Sequence, residues 1–283
     1  MKFSLSLFAY LLSIYSIAQD KPAYKLYNSK GKQVKYSQMI DDIEAHDVLL
    51  FGELHNNTIA HWLELEVTKD LHERKELILG AEMIERDNQD ELNAYLNDSI
   101  DYKALDTLAR LWSNHETDYQ PMVDFAKENS LYFVATNIPR RYARMVHKGD
   151  FNSLDSLESE ELNWIAQLPI PFDSTLPTYQ SIIEMMGDHG SMKLLKAQAI
   201  KDATMAESIY KELGSCELFV HYNGAFHSDY HEGIEWYLKQ YSKDFQVITI
   251  TTITQAEIGK LDKQHKGKAD YIICVDEDVT ATY

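Results

Sequence analysis

Short apolar runs, each followed by a stretch with helical periodicity, recur along almost the whole length of this 283-residue chain. The runs are rich in β-branched and aromatic residues, as is typical of strands that are covered on both faces. The predicted strands cover residues 47–51, 76–82, 131–136, 216–222, 245–252 and 270–275. Because strand and helix alternate, the chain is predicted to form an α/β fold whose mainly parallel sheet is flanked by helices.

Helical patterns fill the segments between these strands. They cover residues 36–46, 57–74, 88–95, 102–111, 119–129 and 230–241, with a short helix near 255–260. The longest purely helical stretch predicts a smaller helical subdomain at about residues 138–214, within one domain that spans residues 19–283. Its last helix is the clearest, because Ser191 can cap its start and Gly214 its end.

The first 18 residues read as a signal peptide. Lys2 precedes an apolar stretch that ends in the small residue Ala18, near which cleavage is expected. A membrane anchor is the alternative, but the stretch is short for a span. The protein is therefore predicted to be exported, either periplasmic or secreted, with no integral membrane span in the mature chain.

The net charge limits the kinds of binding partner, and the two cysteines allow at most one disulfide. The formal net charge of −18 would repel nucleic acid, so no nucleic-acid partner is expected. Cys216 and Cys274 both lie at or inside predicted strands. Two buried thiols and one disulfide are both compatible with the sequence.

Two Gly-x-x-His motifs, residues 52–55 and 224–227, each follow a predicted strand directly. Ligands of open parallel sheets bind beyond the carboxyl ends of the strands, so both motifs are expected at the binding edge. The catalytic candidates there are Glu53, His55, Glu82 and His227. The same four residues could hold a divalent ion such as zinc or manganese, because imidazole and carboxylate groups suit these metals. Alternatively, each glycine serves a tight turn and each histidine caps it.

Three other polar residues could lie near the binding edge, but the sequence places them there less clearly. His61 lies one turn into the helix after the first motif and could reach the site, but a position at the surface or against the helix N-terminus is the expected one. Gln198 and Asp202 share one face of the long helix. A solvated position and a supporting contact to the site are both open for this pair.

A basic segment follows the third predicted strand. Arg140 and Arg141 precede Tyr142, and arginine beside tyrosine favours the phenolate that binds ferric haem iron. The guanidinium groups could hold haem propionates. The fourth strand brings Tyr222 and Asn223 to the same edge as His227. A basic solvated helix is the alternative interpretation of the arginines.

Several common catalytic motifs do not occur in the chain. It contains no Gly-x-Ser-x-Gly, no P-loop, no His-Glu-x-x-His, no Cys-x-x-Cys and no Gly-x-Gly-x-x-Gly. These absences disfavour serine hydrolases of the nucleophile-elbow type, nucleotide-dependent enzymes and zincins.

Five segments together resemble the ChaN family of haem-binding proteins. They are Phe-Gly-Glu-Leu-His (51–55), Ala-Glu-Met (81–83), Thr-Asn-Ile-Pro-Arg-Arg-Tyr (136–142), Ala-Gln-Ala-Ile-Lys-Asp-Ala-Thr-Met-Ala (197–206) and Tyr-Asn-Gly-Ala-Phe-His (222–227). The resemblance implies an exported α/β protein that binds haem through a tyrosine ligand, with dimerisation linked to binding. Tyr142, Tyr222 and Tyr230 are the tyrosines near the matching segments.

The same resemblance extends to a wider superfamily that includes erythromycin esterases and Tiki-type metal-dependent proteases. In the latter, paired Gly-x-x-His motifs and a glutamate form the site. The main prediction is therefore an exported haem-binding protein for haem or iron acquisition, which uses a Tyr or His ligand at the carboxyl edge and could form a homodimer. The alternative is a metal-dependent protease or esterase that uses His55, His227 and Glu53 or Glu82. A metal-free esterase, with His55 or His227 as general base, is a third option.

Overall fold

The computed structural model describes residues 21–283, which form a seven-stranded sheet with helices on both faces. The strands are β1 (Tyr24–Asn28), β2 (Val48–Glu53), β3 (Leu77–Glu85), β4 (Tyr132–Asn137), β5 (Leu218–Gly224), β6 (Val247–Gln255) and β7 (Tyr271–Asp276). The order across the sheet is β1-β7-β6-β2-β5-β3-β4, and all pairs are parallel except β1 with β7. The predicted fold class is confirmed. The signal peptide predicted at residues 1–18 lies outside the described residues.

Nine α-helices pack around this sheet in the described part of the chain. They are α1 (Tyr36–Ile43), α2 (Thr58–His72), α3 (Gln89–Leu96), α4 (Tyr102–Leu108), α5 (Gln120–Glu128), α6 (Arg140–Gly149), α7 (Pro177–Met186), α8 (Met192–Glu212) and α9 (Ile234–Tyr241). Residues from α1 to α5 share one apolar core with one face of the sheet. Residues from α6 to α9 share a second core with the other face.

The central strands are apolar because both of their faces are covered. All six residues of β2 are buried, and all seven of β5. Alternate side chains of β2 enter opposite cores: Phe51 packs on the α2 side and Leu50 on the α8 side. Burying one such side chain stabilises the fold by roughly 1.5–3 kcal/mol, so this strand anchors both layers.

The three strands that carry the predicted site end side by side. β5 lies between β2 and β3, and Glu53 is in register with Gly224. Ala81 is in register with Tyr222, so Glu82 lies one residue further toward the same edge. Both Gly-x-x-His motifs and Glu82 therefore meet at the carboxyl edge of the sheet.

Residues between β4 and β5 form α6, α7 and α8, in agreement with the helical pattern predicted for this region. The Ser191 hydroxyl accepts a 3.2 Å hydrogen bond from the Leu194 amide and caps α8, as the sequence predicts. Gly214 follows the helix with φ +94°, a left-handed conformation that suits glycine. The division into a subdomain stays a prediction.

The structure differs from the sequence prediction in two short segments. β1 is not among the predicted strands, because it is an edge strand with only Leu26 and Tyr27 buried and shows little of a strand's pattern. The helix predicted near 255–260 is wrong. There the side-chain amide of Gln255 donates to the carbonyls of Glu257 and Lys260, at 2.6 and 2.8 Å, and holds a turn.

The thiols of Cys216 and Cys274 are both free, which answers the pairing question that the sequence leaves open. Burial raises the pKa of each thiol, so both behave as small apolar side chains. Within residues 21–283, no helix has the length and apolar character that crossing a lipid bilayer requires.

Candidate functional site

A cleft of about 1350 Å³ opens at the carboxyl ends of β2, β3 and β5. Its floor is formed by polar groups of these strands and of the loops that follow them, and one wall is formed by α6. The side chains that matter chemically are Glu53, His55, Glu82, Asn137, Arg140, Arg141, Arg144, Lys148, Gln198, Lys201 and His227. Leu54, Leu111, Trp112, Ile138, Met145 and Phe226 add apolar surface.

His55 presents one ring nitrogen to this cleft. Its Nδ1 lies 2.6 Å from Glu53 Oε1, an oxygen that also accepts a 2.7 Å hydrogen bond from the hydroxyl of Tyr119. The opposite nitrogen, Nε2, lies against Gly224, where a Cβ atom would be only 2.8 Å away. Trp112 meets the imidazole edge-on, with the ring centroids 4.9 Å apart. The ring is thus fixed, and Nε2 is free to bind a ligand.

Electrostatics set the charge of this pair. Burial opposes ionisation of Glu53, but hydrogen bonds to His55 and His61 outweigh burial and lower the pKa of Glu53 to about 2. Burial also opposes the charged form of His55, yet Glu53 and the charge of Glu82 raise the pKa of that imidazole above its ordinary value. A proton and a ligand therefore compete for His55.

His227 lies between two carboxylates on the other side of the cleft floor. Its Nε2 is 3.1 Å from Glu82 Oε1 and its Nδ1 is 2.5 Å from Asp202 Oδ1. Burial opposes the charge, but these two acids raise the pKa of His227 to about 10. His227 is thus a buried cation with both nitrogens engaged, so it offers no lone pair to a ligand at neutral pH.

Glu82 joins the two Gly-x-x-His motifs. Its Oε2 accepts a 2.8 Å hydrogen bond from the Gly224 amide, in addition to the contact of Oε1 with His227. Burial opposes ionisation, but the charge of His227 keeps the pKa of Glu82 well below its ordinary value. Glu82 does not pair with the nearby Arg86, because the guanidinium of Arg86 binds Glu207 at 2.8 Å instead.

A second polar cluster lies behind His55, deeper in the protein. His61 Nδ1 is 3.0 Å from Glu53 Oε2 and 3.3 Å from Glu64 Oε2. Among the described residues, Glu53, His61 and Glu64 are the one group whose ligand atoms all lie within 4.8 Å of one another. The metal group predicted from sequence, which combines His55 and His227 with Glu53 or Glu82, does not have this spacing.

His61 corrects the sequence interpretation, and Glu64 was missed by it. His61 is buried, with a relative exposure of 8%, although a surface position was expected. Glu64 is fully buried and gives no signal beyond its place three residues after His61 on the inward face of α2. Asp202 is buried and contacts His227, so the supporting contact is the correct alternative for Asp202.

One wall of the cleft is basic. Arg140, Arg144 and Lys148 recur every four residues along α6, and Lys201 lies on α8. In the part of the chain that the structure describes, none of these four side chains forms an ion pair. Arg141 also lines the cleft, but its guanidinium is paired with Asp87 at 2.5 Å.

The tyrosines predicted as haem ligands lie away from the cleft. Tyr142 is buried in the α6–α9 core, where its hydroxyl donates to Glu161 at 2.8 Å and accepts from Arg141. Tyr222 is buried on the opposite face of the sheet, 2.5 Å from the hydroxyl of Thr68. Tyr230 does not line the cleft, whereas Tyr283 does.

Asn223 also lies in the interior. Its side-chain amide donates to the Ser228 hydroxyl at 3.0 Å, and its oxygen faces His221. Asn137, the last residue of β4, does line the cleft. The amide of Asn137 donates to the Glu82 carbonyl at 2.8 Å, while its own oxygen has no partner among the described residues.

Fold and site together define a mainly parallel α/β protein with two carboxylate–histidine pairs at the carboxyl edge of its sheet. A family model described as "Haem-binding uptake, Tiki superfamily, ChaN" matches residues 39–238. The chain belongs to this family, as the five sequence segments predicted.

Solved structures with a similar fold include three of interest. ChaN of Campylobacter jejuni, described with cofacial haem binding, has a TM-score of 0.68 at 15% identity and covers 89% of this chain and 97% of its own. A mutant of the erythromycin esterase EreC in its open conformation has a TM-score of 0.53 at 9% identity, with coverages of 91% and 99%. A succinoglycan biosynthesis protein has a TM-score of 0.52 at 10% identity, with coverages of 84% and 90%. At these identities the likeness shows the fold.

One curated relative is a plant protein, RETICULATA-RELATED 5 of Arabidopsis thaliana chloroplasts. It is 24% identical to this chain over 186 residues. The match takes in 59% of this chain but only a quarter of the plant protein's length.

Proposed function

We propose that this protein binds haem in the cleft at the carboxyl edge of the sheet, as part of haem or iron acquisition. The observation that carries the proposal is the cleft itself. At about 1350 Å³ it exceeds the roughly 300–1,000 Å³ of ordinary small-molecule pockets, and it combines an apolar lining with an unpaired basic wall. A flat apolar ring with two propionates matches both features.

The iron ligand in this proposal is Nε2 of His55. The hydrogen bond from Nδ1 to Glu53 fixes the ring, and an outer carboxylate of this kind strengthens a metal-binding imidazole. His227 is a poorer candidate because both of its nitrogens face carboxylates. Tyr283 is the tyrosine among the residues that line the cleft, but burial and the charges of Glu53 and Asp118 raise its pKa and oppose the phenolate.

Tyr142 and Tyr222 remain proposals as ligands only if the protein rearranges on binding. Each hydroxyl would have to leave a buried hydrogen bond, to Glu161 and to Thr68 respectively. Arg140 and Arg141 keep their proposed role, since both line the cleft and can pair with propionates, although Arg141 would first have to leave Asp87.

A hemin titration tests this function. Wild-type protein should shift the Soret band with saturation at a defined stoichiometry, and His55→Ala should lose or alter that shift. His189→Ala, an exposed histidine outside the cleft, is the matched control and should bind as the wild type does. A wild-type spectrum identical to that of free hemin rules out the proposal.

Export and dimerisation belong to the same proposal. Residues 1–18 have the sequence of a signal peptide, so N-terminal sequencing of protein from the expressing cell's medium or periplasm should begin near residue 19. Sedimentation of the protein with and without hemin measures whether a homodimer forms and whether binding drives it. A chain that retains Met1 would contradict cleavage.

A hydrolase is the second candidate, and the Glu53–His55 pair is the observation that favours it. A carboxylate on Nδ1 orients the imidazole so that Nε2 can take a proton from water, as in carboxylate–histidine pairs of hydrolases. A divalent zinc or manganese ion at the cleft floor would act as a Lewis acid when bound. His55 would bind the ion in the metal-dependent route, or take a proton from water in the metal-free route. In both routes Glu53 holds the imidazole in place.

Ester and peptide hydrolysis should be screened with the wild type, His55→Ala and His189→Ala. Activity that disappears in His55→Ala and survives EDTA indicates the metal-free route. Loss in EDTA that zinc or manganese restores indicates the metal route. A wild type without activity on any substrate leaves haem binding as the function of the cleft.

A further inference from the structure

Glu53 is shared between two different surroundings. Its Oε1 faces the cleft side, where His55 and Tyr119 contact it at 2.6 and 2.7 Å. Its Oε2 faces inward, 3.0 Å from His61 Nδ1. The inward cluster of Glu53, His61 and Glu64 therefore lies behind the cleft floor, and a ligand in the cleft does not touch His61 or Glu64.

A single proton on Nδ1 of His61 cannot form hydrogen bonds to the carboxylate oxygens of both Glu53 and Glu64. A proton on Nδ1 points to Glu64 Oε2 at 3.3 Å, so Glu53 Oε2 lies 3.0 Å from the same nitrogen without a well-directed hydrogen bond among the described residues. Glu64 Oε1 is likewise buried without a partner there. Both side chains are at most 1% exposed. Unpaired carboxylate oxygens at such depth are costly, so the cluster needs either a proton on Glu64, whose pKa burial and Glu53 raise well above its ordinary value, or a metal ion.

The spacing of the three ligand atoms suits a small metal ion. Ligands about 2.0–2.1 Å from a tetrahedral zinc ion lie roughly 3.3 Å from each other. The nitrogen–oxygen separations here are 3.0 and 3.3 Å, and all three ligand atoms lie within 4.8 Å of one another. A divalent ion can bind all three at once, whereas a proton bonds to one acceptor.

The other side of the His61 ring is arranged to support that role. Its Nε2 is 3.2 Å from the carbonyl of His55 and 3.5 Å from Asp118 Oδ2. Asn114 and Thr282 hold that same oxygen of Asp118, at 2.7 and 2.9 Å. With the Nε2 proton directed to these acceptors, Nδ1 keeps its lone pair toward Glu53 and Glu64. Metal-binding histidines in proteins are commonly fixed in this way.

We propose that Glu53, His61 and Glu64 form a buried structural site for a divalent transition-metal ion, with zinc or manganese as the fitting ions. One imidazole and two carboxylates suit both metals. The ion would replace the His61 proton and fix Glu53, and through Glu53 it would hold His55 toward the cleft. The site shares Glu53 with the cleft, whereas its other two ligands, His61 and Glu64, are not among the residues that line the cleft.

The experiment is metal analysis on the full chain, refolded from urea after chelation so that the buried site can load. Wild-type protein should retain about one zinc or manganese ion per chain after gel filtration. Glu64→Gln keeps the side-chain volume and should weaken metal affinity by at least about 100-fold, since it removes a charged ligand. Glu82→Gln changes a cleft carboxylate that contacts His227 and Gly224 and none of the three ligands, so it should retain the ion, as should the exposed control His189→Ala.

Substitution with Co²⁺ gives a second readout that does not depend on Glu64→Gln. Visible bands of Co²⁺ bound through nitrogen and oxygen should appear in the wild type and disappear in His61→Gln, and they decide the matter if Glu64→Gln fails to fold. Wild-type protein without stoichiometric metal, or Glu64→Gln that binds metal like the wild type, overturns the proposal. Hemin titration of the same samples measures haem binding independently of metal content. A protein that binds hemin but no metal would overturn the buried metal site and leave the haem proposal standing.

Discussion

Gly224 controls the position of His55 through its missing side chain. A Cβ at this position would lie 2.8 Å from both Cε1 and Nε2 of the imidazole, which is closer than van der Waals contact. The backbone of Gly224 has φ −58° and ψ 139°, which alanine adopts without strain. Gly224→Ala should therefore fold normally and push His55 out of place, with at least about a tenfold loss of hemin affinity in the titration.

Gly259→Ala is the matched control for this prediction. Its added Cβ meets no heavy atom within 4 Å, so neither binding nor folding should change. If Gly224→Ala binds hemin as tightly as Gly259→Ala does, His55 is not the iron ligand. Circular dichroism of both variants separates a local displacement from unfolding.

His221 makes the stability of the protein depend on acid. It is fully buried in β5, where Thr136 Oγ1 and Asn223 Oδ1 contact its two nitrogens at 2.8 and 3.1 Å. Burial lowers the pKa of His221 to about 4, so below pH 6.5 the unfolded chain binds a proton that the native protein does not. This group should remove about 2 kcal/mol of unfolding free energy between pH 7 and pH 5.

Urea unfolding at the two pH values measures this loss. His221→Gln should be less stable at pH 7 but should lose less stability on acidification than the wild type does. His115, whose pKa burial also lowers to about 4, should account for a comparable share. Equal losses in the wild type and in His221→Gln would contradict the assignment.

Helix α2 carries His61 and Glu64, so its start positions the buried cluster. Asn57 caps that start, because its side-chain oxygen accepts hydrogen bonds from the amides of Ile59 and Ala60 at 3.1 and 3.0 Å. Asn57→Ala should lower the free energy of unfolding by about 1 kcal/mol. Ser191→Ala, at the cap of α8, should cost a similar amount in the same urea experiment. If the metal site exists, only Asn57→Ala should also weaken metal binding.

The sequence predicted the strands that are buried on both faces, because such strands are continuous apolar runs. β2 and β5 are buried throughout and mostly apolar, and their Gly-x-x-His motifs lie at one edge because parallel strands share a direction. β1 gave no such pattern, because an edge strand buries little. His61 and Glu64 could not be assigned either, since polar residues on a helix signal solvent unless a facing charge is known, and here that charge is Glu53 from another element.

The charge of the whole molecule opposes its proposed ligand, and the basic wall reverses this effect locally. The chain carries a net charge of −18, which repels the two propionates of hemin. Arg140, Arg144 and Lys148 are four residues apart, so they share one face of α6 and extend over about 12 Å of the cleft wall. Attraction at this wall therefore has to exceed repulsion by the rest of the surface.

Comparing the affinity for hemin with that for its uncharged dimethyl ester tests whether attraction by the basic wall exceeds repulsion by the rest of the surface. The wild type should bind hemin more tightly than the ester, and Arg144→Ala with Lys148→Ala should reduce that preference about tenfold, since each partly exposed charge pair contributes roughly 0.2–1 kcal/mol. Lys243→Ala, an exposed lysine outside the cleft, should leave the preference unchanged. The preference should also shrink as salt is raised, because screening acts on charges at the wall. Equal affinity for hemin and ester would place the propionates in solvent and leave the basic wall for another anion.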